Sequence, residues 1–194
     1  VCVIGICSIM VLFPIRATAS RDAAMETYAA NAADQMLNCL KYTITQDAAK
    51  WNDYILAKGA ATPTTNSLPD DNPSNKENPT TPYNLQDTAE WPTDLCGRRC
   101  HPGIANNIFK HKINNGVFQI ISCRDNPPTV DSPNVDFRAI MNVWRKDVTL
   151  GTIALSHKRA IQLNVEVSWP AALPYNARQK SIFILEVFNP HYNP

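Results

Sequence analysis

Charge and glycine are both scarce in this chain of 194 residues. Charged residues make up 18 % of it, the formal net charge is +1, and there are six glycines. A chain with so little charge has no strong field to attract nucleic acid or acidic substrates, so no specific nucleic-acid partner is expected. The few glycines form no phosphate-binding loop, and no G-x-S-x-G or comparable nucleophile motif occurs. The sequence therefore predicts that the protein is not an enzyme and needs no cofactor.

The first fifteen residues lack charge altogether. They read VCVIGICSIMVLFPI, and Ser8 is their only polar side chain. As a helix this stretch would be about 22 Å long, which is shorter than the ~30 Å hydrocarbon core of a bilayer. Without a basic segment before it or a small-residue cleavage site after it, it is not a usual signal peptide. It is either a helix buried in a protein core or the distal part of a longer apolar helix.

Helix-forming sequence continues to about residue 57. The segment is rich in alanine and contains neither proline nor glycine between Pro14 and Gly59. Its apolar side chains recur every three or four residues, which predicts an amphipathic helix with one packed face. Pro14 is expected to kink or locally melt the helix. A second break is expected between Thr43 and Asp47, because Thr43 and Gln46 have the spacing of a capping box.

The remaining sequence divides into a proline-rich part and a β-rich part. Residues 58–112 carry repeated prolines and no apolar periodicity, so a long loop is predicted there. Residues 113–194 form the predicted head, with four β-forming runs at 116–123, 137–144, 161–169 and 181–188. Turn signals separate these runs, which indicates a four-stranded antiparallel sheet.

The third run shows the clearest alternation of apolar and polar residues. Its apolar positions are Ile161, Leu163, Val165 and Val167. One apolar face of a sheet must be covered, and the amphipathic helix offers a matching face. These strand residues are therefore expected to pack against Leu37, Leu40 and Ile44.

An apolar and then amphipathic helix, a variable loop and an antiparallel sheet resemble the type IV pilins and type II secretion pseudopilins. Pro14 is similar to the proline of the pilin helix. The run ATASRDAAMETYAANAADQMLNCL (17–40) is similar to the helix of the minor pilins and pseudopilins, and NVEVSWP followed by SIFILEVF is similar to their terminal strand pair. The resemblance does not cover residues 58–112. The family's cleaved leader and the start of its mature helix, with an N-methylated residue and a glutamate, have no counterpart in this sequence.

The resemblance implies an α+β, pilin-like fold, with a long N-terminal α-helix packed on a four-stranded antiparallel sheet. It implies a structural subunit that is anchored in the inner membrane before assembly, partners the pilus or secretion assembly machinery, and joins copies of itself in an extracellular helical filament. Residues 1–15 would lie first in lipid and then among neighbouring helices, where Gly5 and Ser8 allow close approach. The predicted filament core consists of Val1, Val3, Ile4, Gly5, Ile6, Ile9, Met10, Val11, Leu12, Phe13 and Pro14.

Six cysteines are present, and two of them, Cys2 and Cys7, lie in the apolar stretch. In a weakly charged chain of this kind an even number of further cysteines indicates disulfides formed in an oxidising compartment. Three pairings are open to the four candidates, which are Cys39, Cys96, Cys100 and Cys123.

Cys96, Cys100 and His101 form a C-x₃-C-H motif, one residue longer than the usual haem-attachment motif. It defines an alternative function, a membrane-anchored electron-transfer protein with one c-type haem. His101 would then be one axial ligand, and the second would be a methionine or one of the other histidines, which are His111, His157 and His191. The atypical spacing favours a disulfide role for the two cysteines, so no metal site is predicted. A monomeric single-pass sensor is a third reading of the same anchor and head.

Overall fold

The computed structural model describes residues 2–56, 68–73, 88–90, 108–111, 116–123 and 135–193, with residues 2–19 described by their backbone. In the described residues a long helix at the N-terminal end is followed by a main antiparallel sheet and a small separate hairpin. The predicted α+β class is therefore confirmed. The predicted boundaries at 57/58 and 112/113 lie outside the described residues.

Helix α1 spans Cys2–Thr45 and is followed by a single turn, α2 (Ala48–Trp51), and a π-helical turn (Asn52–Leu56). The break between α1 and α2 falls where the sequence predicted one. The capping residue is Asp47 and not Thr43, because the Asp47 carboxylate accepts a hydrogen bond from the Lys50 backbone N–H at 2.7 Å. The sequence predicted that Pro14 either kinks the helix or melts it locally. The backbone is helical through Pro14, so local melting is wrong, and the kink stays a prediction.

The main sheet contains six strands in the order β1-β2-β3-β4-β7-β8, and each neighbouring pair is antiparallel. A separate hairpin, β5-β6, interrupts the connection from β4 to β7. The strands are β1 (Thr88–Glu90), β2 (Ile108–His111), β3 (Val117–Cys123), β4 (Val135–Lys146), β5 (Thr149–Leu150), β6 (Ile153–Ala154), β7 (Ala160–Trp169) and β8 (Gln179–Phe188).

The four predicted strands correspond to β3, β4, β7 and β8, which lie side by side in the sheet. The structure adds the short strands β1 and β2, which lie in the segment that was predicted as loop. Strands of three and four residues carry too few alternations to be distinguished from loop sequence.

One face of the sheet packs on α1. Because side chains alternate along a strand, the odd-numbered residues of β7 all point to the helix. Ile161, Leu163, Val165 and Val167 belong to the same buried cluster as Leu37, Leu40 and Ile44, which confirms the predicted pairing of the two faces. Phe118 and Met141 extend this cluster onto β3 and β4.

The packed part of α1 is its C-terminal part. Burial begins at Ala29, whose side chain is fully enclosed, and continues to Ile44. By contrast, residues 20–28 are exposed except Met25, which is partly buried against the core. At 1.5 Å per residue a helix of 44 residues is about 66 Å long, and its packed segment accounts for about 24 Å. The sheet therefore covers only part of the helix length.

Candidate functional site

The second face of the sheet, away from α1, is also buried and carries both polar side chains and an apolar cluster, in which Val117 and Ile140 pack with Ala171. Asn142 of β4 and Glu166 of β7 are opposite each other in the antiparallel register, and their relative exposures are 1 % and 3 %. Ser168 and Gln119 on the same face are fully enclosed. Burying a polar side chain costs free energy unless it is hydrogen-bonded. The cover over this face supplies partners to the Glu166 carboxylate, whereas the buried side-chain amide of Gln119 has none among the described residues.

Two segments provide that cover. Residues 68–73 lie beside the end of β4, where the Arg145 N–H donates to the carbonyl of Pro69 at 2.9 Å. Residues 170–178 lie over the other end of the same strand, where the Ala171 N–H donates to the carbonyl of Arg138 at 3.0 Å. Both segments therefore extend the hydrogen bonding of β4 and cross this second face of the sheet.

The Glu166 carboxylate is where the two segments meet. The Tyr175 hydroxyl lies 3.0 and 3.1 Å from its two oxygens, and Asn72 Nδ2 donates to Oε2 at 3.1 Å. Asn142 Nδ2 makes a longer contact of 3.4 Å with Oε1. Asn72 belongs to one covering segment and Tyr175 to the other, so a single buried carboxylate fixes both of them to the sheet. Hydrogen bonds to an ionised acceptor are the stronger kind.

An ion pair provides a second attachment for residues 68–73. Arg145 Nε lies 2.9 Å from the Asp70 carboxylate, with side-chain exposures of 3 % and 36 % respectively. A buried guanidinium requires such a partner, because an unpaired charge away from water is costly. Gly116, at φ +77°, allows Pro69 to pack closely against the backbone at this point. A Cβ at position 116 would collide with the carbonyl oxygen of Val143 and with the Pro69 ring, so only glycine fits there.

This polar cluster has the chemistry of a structural anchor. The donors to Glu166 are neutral side chains and the acceptor is one carboxylate, so the cluster binds both loop segments to the sheet. Among the side chains that the structure describes, no three His, Cys, Asp or Glu residues converge as ligands for a metal ion.

A further group of contacts fixes the C-terminal end of the helix to the head. Trp51 Nε1 donates to the carbonyl of His157 at 3.0 Å, and His157 Nε2 lies 2.6 Å from the Asp147 carboxylate. His191 Nε2 lies 3.1 Å from the carbonyl of Thr45, the last residue of α1. Two histidines that the sequence offered as second haem ligands, His157 and His191, thus have protein partners in the structure.

The other predicted site residues are only partly described. Cys39 is buried and disulfide-bonded, which agrees with the expectation for that residue. The haem or disulfide residues Cys96, Cys100 and His101 lie outside the described residues, and so does the side chain of Cys123. The predicted filament core from Val3 to Pro14 has a helical backbone and belongs to α1. The side chains of these residues, and the whole of Val1, lie outside the described part of the structure.

Within the part of the chain that the structure describes, no helix combines the length and the apolar character that a bilayer span requires. No protein-family model, curated protein or solved structure matches this chain.

Sequence reasoning missed the polar cluster around Glu166. The alternation of β7 placed Glu166, Asn164 and Ser168 on one face but carried no sign that this face is covered. Asn72 and Glu166 are separated by 94 positions, so no local pattern connects them.

Proposed function

We propose that this chain is a structural subunit of a type IV pilus-like filament that assembles through the N-terminal part of α1. One observation carries the proposal. The sheet packs on α1 from Met25 and Tyr28 onward, since Met25 is partly buried against the core and the Tyr28 ring stacks on Phe137, whereas residues 20–24 of the same continuous helix are exposed. A helix that extends beyond its own domain needs another surface to cover its apolar part.

The composition of the helix supports the same conclusion. Residues 1–15 contain no charge and a single serine, so the sequence has nothing on any side of this segment to face water. Burying each methylene group contributes roughly 0.8 kcal/mol, which makes packing of such segments against one another a strong driving force. The residues proposed to meet between copies are those of the predicted core, Val3 to Pro14.

The head supplies the rest of a subunit. Its sheet is covered on one face by α1 and on the other by residues 68–73 and 170–178, so it has a core of its own. In the proposed filament the heads form the outer surface and the helices form the centre. Before assembly the apolar segment lies in the inner membrane, and the pilus or secretion machinery transfers it to the growing extracellular filament.

Substitution of Ile9 tests the proposal. In Ile9→Lys an ammonium group would have to be buried among neighbouring helices, at a cost of several kcal/mol in every subunit. We expect this variant to form no filaments in electron micrographs, while the matched control Ile9→Leu assembles like the parent. The head of Ile9→Lys should keep the parent's denaturation midpoint, because Ile9 lies 20 positions before Ala29. Normal filaments from Ile9→Lys would contradict the proposal.

A further inference from the structure

Strand β8 forms one edge of the sheet. It pairs with β7 along its whole length, from Gln179 opposite Trp169 to Phe188 opposite Ala160, without a shift of register. In the described part of the chain no strand pairs with its other side. Edge strands in soluble proteins are usually shortened, bulged or interrupted by proline, and β8 has ten residues with none of these features.

The backbone groups on this free edge can be assigned. The Asn189 N–H donates to the carbonyl of Arg159 at 2.8 Å, which makes Asn189 and Arg159 a hydrogen-bonded pair in the register of β7 and β8. Hydrogen-bonded and non-bonded pairs alternate along an antiparallel ladder. The odd-numbered residues of β8 therefore bond to β7, and the even-numbered residues direct their N–H and C=O groups outward.

The even-numbered side chains are also the exposed ones. Ile182 and Ile184 are each 58 % exposed and Phe188 is 60 % exposed, on the face away from α1. The exposed charged residues Lys180 and Glu186 flank the two isoleucines. The free edge thus combines unpaired backbone groups with an apolar centre between one positive and one negative charge.

We propose that a second copy of this chain pairs with β8 through its own β8, antiparallel and about a two-fold axis at Phe183. In this register Ile182 lies opposite Ile184 of the second copy, and Lys180 lies opposite Glu186. Two isoleucine contacts and two opposite-charge contacts result, and cross-strand pairs of both kinds stabilise sheets. Sliding the register by one two-residue step places Lys180 opposite either Phe188 or Ile184, so only the first register matches the charges.

On the face of β8 that is directed to α1, there is space for the β8 strand of a second copy. A groove of about 250 Å³ lies between α1 and β8, lined by Asp34, Leu37, Asn38, Phe183, Ile184 and Leu185. Phe183 of the second copy would lie at the mouth of this groove, opposite Phe183. The contact uses a surface separate from residues 1–15, so it does not rest on the proposed filament assembly.

Zero-length cross-linking tests the register directly. A mixture of ¹⁴N- and ¹⁵N-labelled full-length chain in detergent micelles is treated with a carbodiimide, which joins an amine to a carboxylate in contact with it. Lys180 and Glu186 of one chain are about 20 Å apart along the strand, so they cannot be joined within a copy. We expect an amide between Lys180 and Glu186 that joins light to heavy chains. Its absence from mixed-isotope peptides would overturn the proposal.

Two variants separate this pairing from chance contact. In Ile184→Pro the outward N–H is removed and the bonds to β7 are kept, so the cross-link yield should fall at least about tenfold while the thermal midpoint changes little. Glu186→Lys lacks the carboxylate that the carbodiimide needs, so its dimer is measured by sedimentation in the same detergent. Its dissociation constant should rise by about tenfold or more through two like-charge contacts, and the double variant K180E/E186K should restore the parent value. Undiminished dimer in Glu186→Lys, or no recovery in the double variant, would contradict the pairing even if Ile184→Pro did not fold. Lys180 also lies 4.0 Å over the Tyr175 ring, so melting curves accompany both charge variants.

Discussion

Removal of one hydroxyl tests the anchoring role of Glu166. In Tyr175→Phe the ring remains, including its contact with Lys180, and the bond from the hydroxyl to the Glu166 carboxylate is lost. A hydroxyl has one proton, so the two distances of 3.0 and 3.1 Å represent one shared hydrogen bond. A bond to a charged group contributes about 1.5–3 kcal/mol. Since Glu166 is 3 % exposed, water cannot easily replace the lost donor, and the upper half of that range is expected.

The assay is urea denaturation of the full-length chain in a fixed detergent, followed by tryptophan fluorescence. Tyr192→Phe is the matched control, because its ring contact with Arg159 persists without the hydroxyl. We expect the control to stay within about 0.5 kcal/mol of the parent. A Tyr175→Phe variant as stable as this control would refute the view that the carboxylate holds residues 170–178 on the sheet.

Two further predictions concern the core and the cysteines. Val165→Asp should lower the free energy of unfolding by about 4 kcal/mol, because the Val165 side chain is fully enclosed in the core between the sheet and α1. The control Ile153→Asp, at a 67 % exposed position, should leave the free energy of unfolding nearly unchanged. If both variants had the same melting temperature, the assignment of Val165 to the buried face would be wrong. Thiol counting under denaturing, non-reducing conditions should find at most two free thiols, those of Cys2 and Cys7, and four or more would contradict the disulfide prediction.

The parts of the fold that follow from the sequence are those with long periodic patterns. The helix from Cys2 to Thr45 and the strands β4 and β7 each contain enough apolar repeats to define an element and its buried face. The pairing of Leu40 with Val165 followed because each element has one clear apolar face and the two must cover each other.

The parts that could not be predicted depend on contacts between distant and irregular segments. The burial of Glu166 is created by residues 68–73 and 170–178, whose positions are set by hydrogen bonds to β4 and not by any periodic pattern. The cap at Asp47 shows the same limitation on a small scale. Thr43 was predicted as the capping residue, but α1 continues to Thr45 and Asp47 caps the following turn.

The proposed filament has the N-terminal part of α1 at its centre. A helical reconstruction of the purified material by electron cryomicroscopy would show directly where α1 lies. We expect filaments whose centre is a bundle of helices formed by residues up to about 24, with the sheets outside and the packing on α1 beginning near Met25. Material that forms no filaments, or filaments with the sheets at the centre and the N-terminal helices apart from one another, would contradict the proposal.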